Sequence, residues 1–378
     1  MDMGGHGASR RHWLAMAGAL VCPMGATRAA PAAPPTDQPA PSLRASEPLR
    51  FPHDHGAHPA TRTEWWYVTG EIDAIAPGEQ PLGFQITFFR SRVDVARDNP
   101  SRFAPRQLVF AHAALSDARR GQLLHDQRIA RAGFGLVDAA EGDTRLQLRD
   151  WTLSRTGPVQ GGAYTSRIRA RSFALDLRLT PTQPPILQGE QGFSRKAPQA
   201  AYATRYYSLP HLQLSGRIRL RGQDTAVTGR AWLDHEWGET VLSPDAVGWD
   251  WLGIHLQDGG ALMVFRTRRQ DGSVVWQGGT WRRPGQPDRT LAPAEIRMVP
   301  GATWLSPASG ARYPVGWTLH LAGHTFTVRA RMPNQELDGL YSTGSIYWEG
   351  LCDLIDAQGR TVGSGYLEMT GYASPMSL

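Results

Sequence analysis

The chain has 378 residues, which is enough for two domains of ordinary size. Its 41 glycines, its 28 prolines and the near absence of lysine among 40 basic residues favour strands and turns over helices. The net charge of +6 is scattered, without a basic run interleaved with aromatics, so nucleic-acid binding is not expected.

Residues 1–30 have the pattern of an export signal. Arg10 and Arg11 lie in a segment that resembles the twin-arginine motif, and the apolar stretch 13–24 that follows is too short to span a bilayer. We therefore expect a periplasmic or secreted protein that begins near residue 31. Cys22 lacks the small preceding residue of a lipobox, so lipoprotein anchoring is not expected.

Residues 31–47 are rich in proline and alanine and predict a flexible linker. Beyond them, short runs alternate between apolar and polar residues, as is typical of half-buried antiparallel strands, and no segment keeps a helical period. The prediction is an all-β fold of two antiparallel barrel or sandwich domains, residues 48–229 and 230–378. The stretch 181–205, rich in glycine and proline, predicts a loop that covers a pocket.

Acids and aromatics first meet at Glu64-Trp65-Trp66-Tyr67. On a strand, Glu64 and Trp66 face one side while Trp65 and Tyr67 face the other. A carboxyl buried beside an indole has a raised pKa and can donate a proton. The alternative is that Glu64 pairs with an arginine and the tryptophans belong to a core.

Three histidines and an acid precede this strand: His53, Asp54, His55 and His58. These residue types ligate zinc or iron. Their spacing fits no standard zinc module, and such a segment can instead hydrogen-bond across a barrel mouth. No metal site is therefore predicted.

A second cluster is Asp234-His235-Glu236-Trp237. Alternation puts His235 and Trp237 on one face and the two acids on the other. His235 is a candidate proton relay, and Trp237 a candidate wall of an apolar tunnel. The alternative is a structural histidine at a domain interface.

A third cluster, Trp249-Asp250-Trp251, puts an acid between two indoles, and either the rings or the acid can face a cavity. The candidate catalytic residues are His235, Asp234, Glu236, Glu64 and Asp250. The candidate ligand-binding residues are Trp65, Trp66, Tyr67, Trp237, Trp249, Trp251, Tyr347 and Trp348. No nucleophile elbow, P-loop or dinucleotide fingerprint is present, so no cofactor is predicted.

Three ungapped motifs carry a family resemblance. They are F-P-x-D-H-x-x-H-P-x-x-R-T-E-W-W-Y-x-T-G at 51–70, A-W-x-D-H-E-W-G at 231–238 and G-W-D-W-L-G-I-H-L-Q-D-G at 248–259. Over residues 48–375 the chain resembles the AttH / carotenoid 1,2-hydratase (CrtC-like) family of two-domain lipocalin-like proteins. In the hydratase branch the resemblance implies roles for His235 and Trp237. It also implies a Tyr-x-Asp pair where this chain reads Leu-Met-Val-Phe-Arg at 262–266.

Two functions remain open from the sequence. One is a carrier that binds an elongated apolar ligand, an isoprenoid or lipid, for lipid transport or envelope maintenance, in association with a membrane transport system. The other is a cofactor-free acid-catalysed hydratase, or a cyclase or isomerase, acting on an isoprenoid-type alkene. The missing Tyr-x-Asp pair favours the carrier, and the Asp-His-Glu-Trp block favours the enzyme. For the enzyme we expect His235, Trp237, Glu64 and Trp66 to approach one apolar cavity.

Overall fold

The computed structural model describes residues 43–76, 78–96 and 98–376. The predicted export signal, including Cys22, and residues 31–42 of the predicted linker lie outside the described residues. Regular structure in the described part consists of strands and three short 3-10 helices, which confirms the predicted all-β fold of two barrels. None of these helices has the length and apolar character that a membrane span requires.

The first sheet is antiparallel and curls into a nearly closed barrel. Its strands run in the order β4-β3-β2-β1-β13-β12-β9-β8-β7-β6-β5, with β10 and β11 also paired to β12. Helix η1 (His53–His55) precedes this sheet, and η2 (Asp94–Ala96) follows its second strand. The strands are β1 Thr63–Ile72, β2 Leu82–Arg92, β3 Gln107–Asp117, β4 Gln122–Arg131, β5 Val137–Ala139, β6 Arg145–Leu148, β7 Trp151–Thr156, β8 Ala163–Arg169, β9 Phe173–Pro181, β10 Ile186–Leu187, β11 Phe193–Arg195, β12 Ala203–Leu220 and β13 Gln223–Gly238.

The second sheet forms the other barrel, with the order β17-β16-β15-β14-β25-β24-β22-β21-β18 and β23 paired to β24. The short strands β19 and β20 pair only with each other, and η3 (Pro293–Glu295) precedes β18. The strands are β14 Gly248–Leu256, β15 Ala261–Arg268, β16 Val274–Arg282, β17 Arg289–Leu291, β18 Ile296–Pro300, β19 Thr303–Leu305, β20 Arg312–Pro314, β21 Gly316–Leu321, β22 His324–Ala330, β23 Glu336–Asp338, β24 Ile346–Asp356 and β25 Thr361–Met369.

The chain changes sheet between Gly238 and Gly248, so the first sheet continues past the predicted boundary at residue 229. The reason is strand pairing: the second half of β13, from Gly229 to Gly238, pairs with the whole of β1. Residues 230–238 are therefore needed to complete the first barrel. Residues 239–247 connect the two sheets.

Each barrel has its own apolar core, because alternate residues of every strand face inward. Val68 and Phe84 belong to the first core and Leu252 to the second. A third buried cluster lies between the sheets and includes Tyr67 of β1 and Trp251 of β14. Both faces of these two strands are consequently buried, one inside a barrel and one against the other sheet.

An ionic cluster joins the sheets at one part of this interface. The Glu71 carboxylate of β1 accepts hydrogen bonds from Arg331 at 2.5 Å, from Arg230 at 2.8 Å and from the Ser364 hydroxyl of β25 at 3.0 Å. Burial raises the pKa of Glu71, but the two arginines outweigh burial and hold the pKa below its usual range. Glu71 is therefore the ionised centre of a contact between the two sheets.

We expect Glu71→Ala to lower the free energy of unfolding by roughly 1–3 kcal/mol, since it removes the carboxylate that Arg331 and Arg230 share across the interface and leaves them with Asp353 and the Ser364 hydroxyl as side-chain acceptors. Equilibrium unfolding in urea measures this. The matched control is Asp224→Ala, which removes an exposed partner of Arg219 and should leave the midpoint nearly unchanged. Equal, small effects of both substitutions would contradict this account of the interface.

Candidate functional site

A cavity of about 280 Å³ lies between the two sheets. Its aromatic residues come from both sheets, and four carboxyl side chains also line it. The aromatic residues include Trp65, Tyr67 and Phe89 from the first sheet and Trp249, Trp251 and Phe265 from the second. The acids are Asp234, Glu236, Glu349 and Glu368.

Strand register explains the wall that the first sheet provides. Phe110, Phe89, Trp65, Glu236 and Tyr206 are successive cross-strand neighbours on β3, β2, β1, β13 and β12. Cross-strand neighbours point to the same face of a sheet. One row of five side chains therefore faces the cavity, and all five line it.

A corresponding row crosses the second sheet. Phe265, Trp251, Glu368 and Glu349 are successive neighbours on β15, β14, β25 and β24. The row puts two glutamates directly opposite each other beside aromatic rings. Two ionised carboxylates in these positions would repel each other, so the pairing favours the neutral form of at least one of them.

The charge state of this pair follows from its surroundings. Burial, and then the neighbouring Glu368, raise the pKa of Glu349 well above its usual range, against the Tyr67 hydroxyl, which lowers it. Burial, with nearby acids, raises the pKa of Glu368 to about 8. Tyr67 lies beside Glu349 without hydrogen-bond geometry, and neither oxygen of Glu349 has a partner among the described residues. The pair thus keeps protons at neutral pH.

Asp234 is a different kind of acid. It accepts hydrogen bonds from the Ser208 hydroxyl at 2.5 Å, from Trp232 Nε1 at 2.6 Å and from the Tyr206 hydroxyl at 2.7 Å. Burial raises the pKa of Asp234 to about 7, although the three donors favour its ionised form. Near neutral pH this carboxyl can either give or take a proton.

Glu236 is ion-paired. Its Oε1 lies 2.7 Å from Lys196 Nζ and accepts a hydrogen bond of 2.5 Å from the Thr204 hydroxyl. Lys196 also lines the cavity. It belongs to the stretch 181–205, which the sequence predicts to be a loop over a pocket and which contains the short strands β10 and β11.

Glu64 and His235 lie on the opposite face of the same two strands, inside the first barrel, and do not line the cavity. Glu64 Oε1 is 2.9 Å from His235 Nε2 and 2.8 Å from His58 Nδ1, and Arg90 Nε donates to Glu64 Oε2 at 2.7 Å. Burial raises the pKa of Glu64, but its histidine partners outweigh burial and lower the pKa below its usual range. The predicted pairing of Glu64 with an arginine is therefore present.

Two tryptophans complete this inner cluster. Trp66 stacks on His235 with ring centroids 4.4 Å apart, and Trp237 stacks on His58 at 3.9 Å. The four side chains expected to meet do come together. They do so in the core of the first barrel, because alternation turns them away from the cavity.

Asp250 and Trp348 likewise face the interior of the second barrel. Asp250 accepts hydrogen bonds from Arg266 at 2.7 Å and from the Tyr372 hydroxyl at 2.9 Å, and Trp348 belongs to the second core. Of the two orientations open for the third cluster, the rings of Trp249 and Trp251 face the cavity. Tyr347 also lines it.

In the part of the chain that the structure describes, two groups of side chains have the composition of a metal site: His53, Asp54 and His58, and His58, Glu64 and His235. Within each group the potential ligand atoms lie within 4.8 Å of one another. In the second group Arg90 already binds the carboxylate of Glu64, and its charge opposes a cation there. The hydrogen bonds account for this group as a structural network.

Among the acidic and basic residues that line the cavity, sequence reasoning missed Lys196, Glu349 and Glu368. Glu349 follows Tyr347 and Trp348, in a segment that reverses the order of the first cluster and could have suggested its acid. Glu368 alternates with Leu367 and Met369 of the second core and shares its strand face with the aromatic Tyr366, a pattern that could have suggested a second buried face carrying an acid. Lys196 had one signal, its isolation among arginines.

A family model described as AttH-like matches residues 42–372. An AttH protein from Nitrosomonas europaea has a crystal structure that is 46% identical to this chain, with a TM-score of 0.80, covering 88% of this chain and 99% of that chain.

Kievitone hydratase from Nectria haematococca is 14% identical, with a TM-score of 0.64, covering 89% of this chain and 94% of that chain. At this identity the likeness shows the fold alone. No protein of curated function is detectably similar in sequence.

We expect Glu368→Gln to flatten the pH dependence of stability. The pKa of Glu368 is about 8 in the folded protein against an ordinary value of 4.5, so the folded state holds an extra proton between these values. The free energy of unfolding then falls as pH rises through this range, by up to about 1.4 kcal/mol per pH unit. Glutamine, which stays neutral, removes that slope.

Urea unfolding of both proteins from pH 4 to pH 8 measures the difference. Well below pH 4.5 the glutamate is protonated in both the folded and the unfolded state, so the difference between the two proteins should level off toward pH 4. It should grow in favour of the variant at higher pH. Stability curves that stay parallel up to pH 8 would mean that Glu368 ionises as an ordinary glutamate.

Proposed function

The chain belongs to the AttH-like family, and from that premise we propose that it is a cofactor-free acid catalyst that adds water to an isoprenoid-type alkene held between its two sheets. The observation that carries the proposal is the Glu349 carboxyl. It is buried against aromatic rings, it lacks a hydrogen-bond partner among the described residues, and burial raises its pKa well above the usual range.

Glu349 has the properties of a general acid. A carboxyl that keeps its proton at neutral pH can transfer it, and an apolar site prevents water from competing for it. Because no neighbouring acceptor binds this proton, a substrate carbon can receive it directly. Glu368, opposite Glu349, helps to keep that proton in place, because its negative charge when ionised would raise the pKa of Glu349.

The aromatic wall suits the charge that protonation creates. Transfer of the Glu349 proton to one alkene carbon uses the π electrons to form a C–H bond and leaves a carbocation at the other carbon. Trp65, Tyr67 and Trp251 line the cavity there, and ring faces attract cations. The carboxylate left on Glu349 balances the positive charge until water arrives.

Water completes the reaction. Its oxygen bonds to the cation, and the surplus proton passes to the ionised form of Asp234, whose pKa is about 7. Tyr67 stands opposite Asp234 in the register of β1 and β13 and beside Glu349 of the second sheet, so it lies between the two acids. Exchange with solvent then restores both carboxyls, and the net change is addition of one water.

Two further considerations bear on the choice of reaction. A protein of the same fold is a hydratase, which supports water addition over cyclisation or isomerisation through the same cation. The second candidate is the carrier, which uses the same cavity without chemistry in lipid transport or envelope maintenance. The extensive aromatic lining favours it, since rings bind elongated apolar molecules.

We expect Glu349→Gln to reduce turnover by about 10²–10⁴-fold, because it removes the donated proton while keeping the shape of the side chain. Affinity should change little, since proton transfer acts on the transition state. The measurements are product formation from an acyclic terpenoid with a terminal trisubstituted alkene, and affinity by tryptophan fluorescence quenching.

His235→Gln is the matched control, because His235 lies outside the cavity. It should reduce stability but leave the turnover of the folded protein within a few-fold of the original. The reverse pattern, with turnover lost in His235→Gln and kept in Glu349→Gln, would move the chemistry into the first barrel. Tight binding without any product would establish the carrier instead.

The pH profile provides a separate test. Asp234 must be ionised and the glutamate pair protonated, so kcat/KM should rise as pH increases to about 7 and fall above about 8. Asp234→Asn should remove the acidic limb along with most activity. A rate that stays constant between pH 6 and pH 9 is incompatible with this assignment.

A further inference from the structure

Lys196 is the one lysine among the chain's 40 basic residues, and the other 39 are arginines. This single ammonium group lines the cavity. It is 6% exposed, so its charge is withdrawn from bulk solvent. A chain that uses arginine everywhere else has a lysine at the one basic position among the described residues that faces the proposed substrate.

The contacts of Lys196 are few and well defined. Its Nζ lies 2.7 Å from Glu236 Oε1 and donates to the Ser194 hydroxyl at 3.2 Å. The ammonium also lies over the rings of Phe265, 4.2 Å from the centroid, and Tyr206, at 4.9 Å. Rings on two sides favour a cation here.

One N–H group of the Lys196 ammonium has no acceptor among the described residues. A lysine ammonium has three N–H groups, and within the described residues two oxygens, on Glu236 and Ser194, accept from it. One N–H is left for an acceptor in the cavity. Arginine would spread five donors over a planar group, whereas an ammonium directs one compact charge at a single atom.

The charge balance indicates the nature of that acceptor. The positive charge of Lys196 is matched by Glu236, and Glu349 and Glu368 keep their protons near pH 7. The site therefore has no surplus positive charge for an anion. It suits a neutral oxygen, such as that of a carbonyl or hydroxyl group.

We propose that Lys196 anchors the substrate through a neutral oxygen, so that the natural ligand is an oxygenated isoprenoid-type molecule and not a pure hydrocarbon. This inference rests on the proposed function, since it concerns the same cavity. Lys196 lies over Phe265, and Glu349 stands three strands away in the row through Trp251 and Glu368. At the usual strand spacing these ends are roughly 14 Å apart. The oxygen and the reacting alkene therefore lie toward opposite ends of the ligand.

Two matched probes test the anchor: geranylacetone, a terpenoid ketone, and its analogue with a methylene group in place of the carbonyl. By fluorescence quenching, the unaltered protein should bind the ketone about 10- to 100-fold more tightly than the hydrocarbon, as expected for a charge-assisted hydrogen bond. Lys196→Met should abolish the difference by weakening ketone binding alone. Arg195→Met, which removes the adjacent cation over the Trp276 ring, should keep it.

A second measurement uses the uniqueness of the residue. Protein labelled with [13C]lysine gives signals from one side chain, and its Cε resonance should shift with the ketone and much less with the hydrocarbon. If Lys196→Met fails to fold, the double variant Lys196→Met/Glu236→Gln takes its place, because it removes both charges of the ion pair and leaves no unpaired carboxylate.

Several results would overturn the inference. They are equal affinity of the unaltered protein for both probes, an equal loss for both in Lys196→Met, or loss of discrimination in Arg195→Met. None of these measurements needs turnover. Tighter binding of the ketone without any hydrated product would contradict the proposed catalysis but support the anchoring role of Lys196. Hydrated product with equal affinity for both probes would support catalysis and contradict the anchoring role.

Discussion

The pairing of β1 with β13 determines which side chains meet the cavity. Successive residues of both strands face opposite sides, so a slip by one residue would exchange the two sets. The contact of 2.9 Å between Glu64 and His235 holds the register on the inner side. Arg90 completes the network, and a displaced Glu64 would leave buried charges unpaired at a cost of several kcal/mol. The positions of Trp65 and Asp234 on the outer side follow from this constraint.

Partners, more than burial itself, decide the charge of the buried glutamates. Glu64 and Glu349 are both almost inaccessible to solvent. The histidines around Glu64 outweigh burial and lower its pKa, whereas burial, reinforced by Glu368 on the next strand, raises the pKa of Glu349. The protein thereby separates a structural carboxylate inside a barrel from a proton-bearing carboxyl in the cavity. The two are distinguished only by the elements that pack against them.

The period-two pattern was sufficient to predict the fold and the grouping of side chains, since Trp65 with Tyr67 and Glu64 with Trp66 share faces as expected. It could not identify which face meets the cavity, because both faces of β1 are buried and both carry aromatics. Glu349 and Glu368 escaped prediction for another reason. Their proximity depends on the pairing of β24 with β25, and their protonation depends on that proximity. The residues around Glu349 and Glu368 in the sequence do not indicate that the two side chains meet.

The aromatic interface between the sheets also affects how the protein is made. The first sheet is complete at Gly238, but its outer face, with Trp65, Tyr67 and Trp232, is covered only by strands that begin at Gly248 and end at Met369. At ordinary rates of translation, the ribosome needs on the order of 10 s to produce those strands. During that interval the nascent chain carries a large apolar surface. The interface that holds the cavity therefore forms only after the second sheet has been made, late in synthesis.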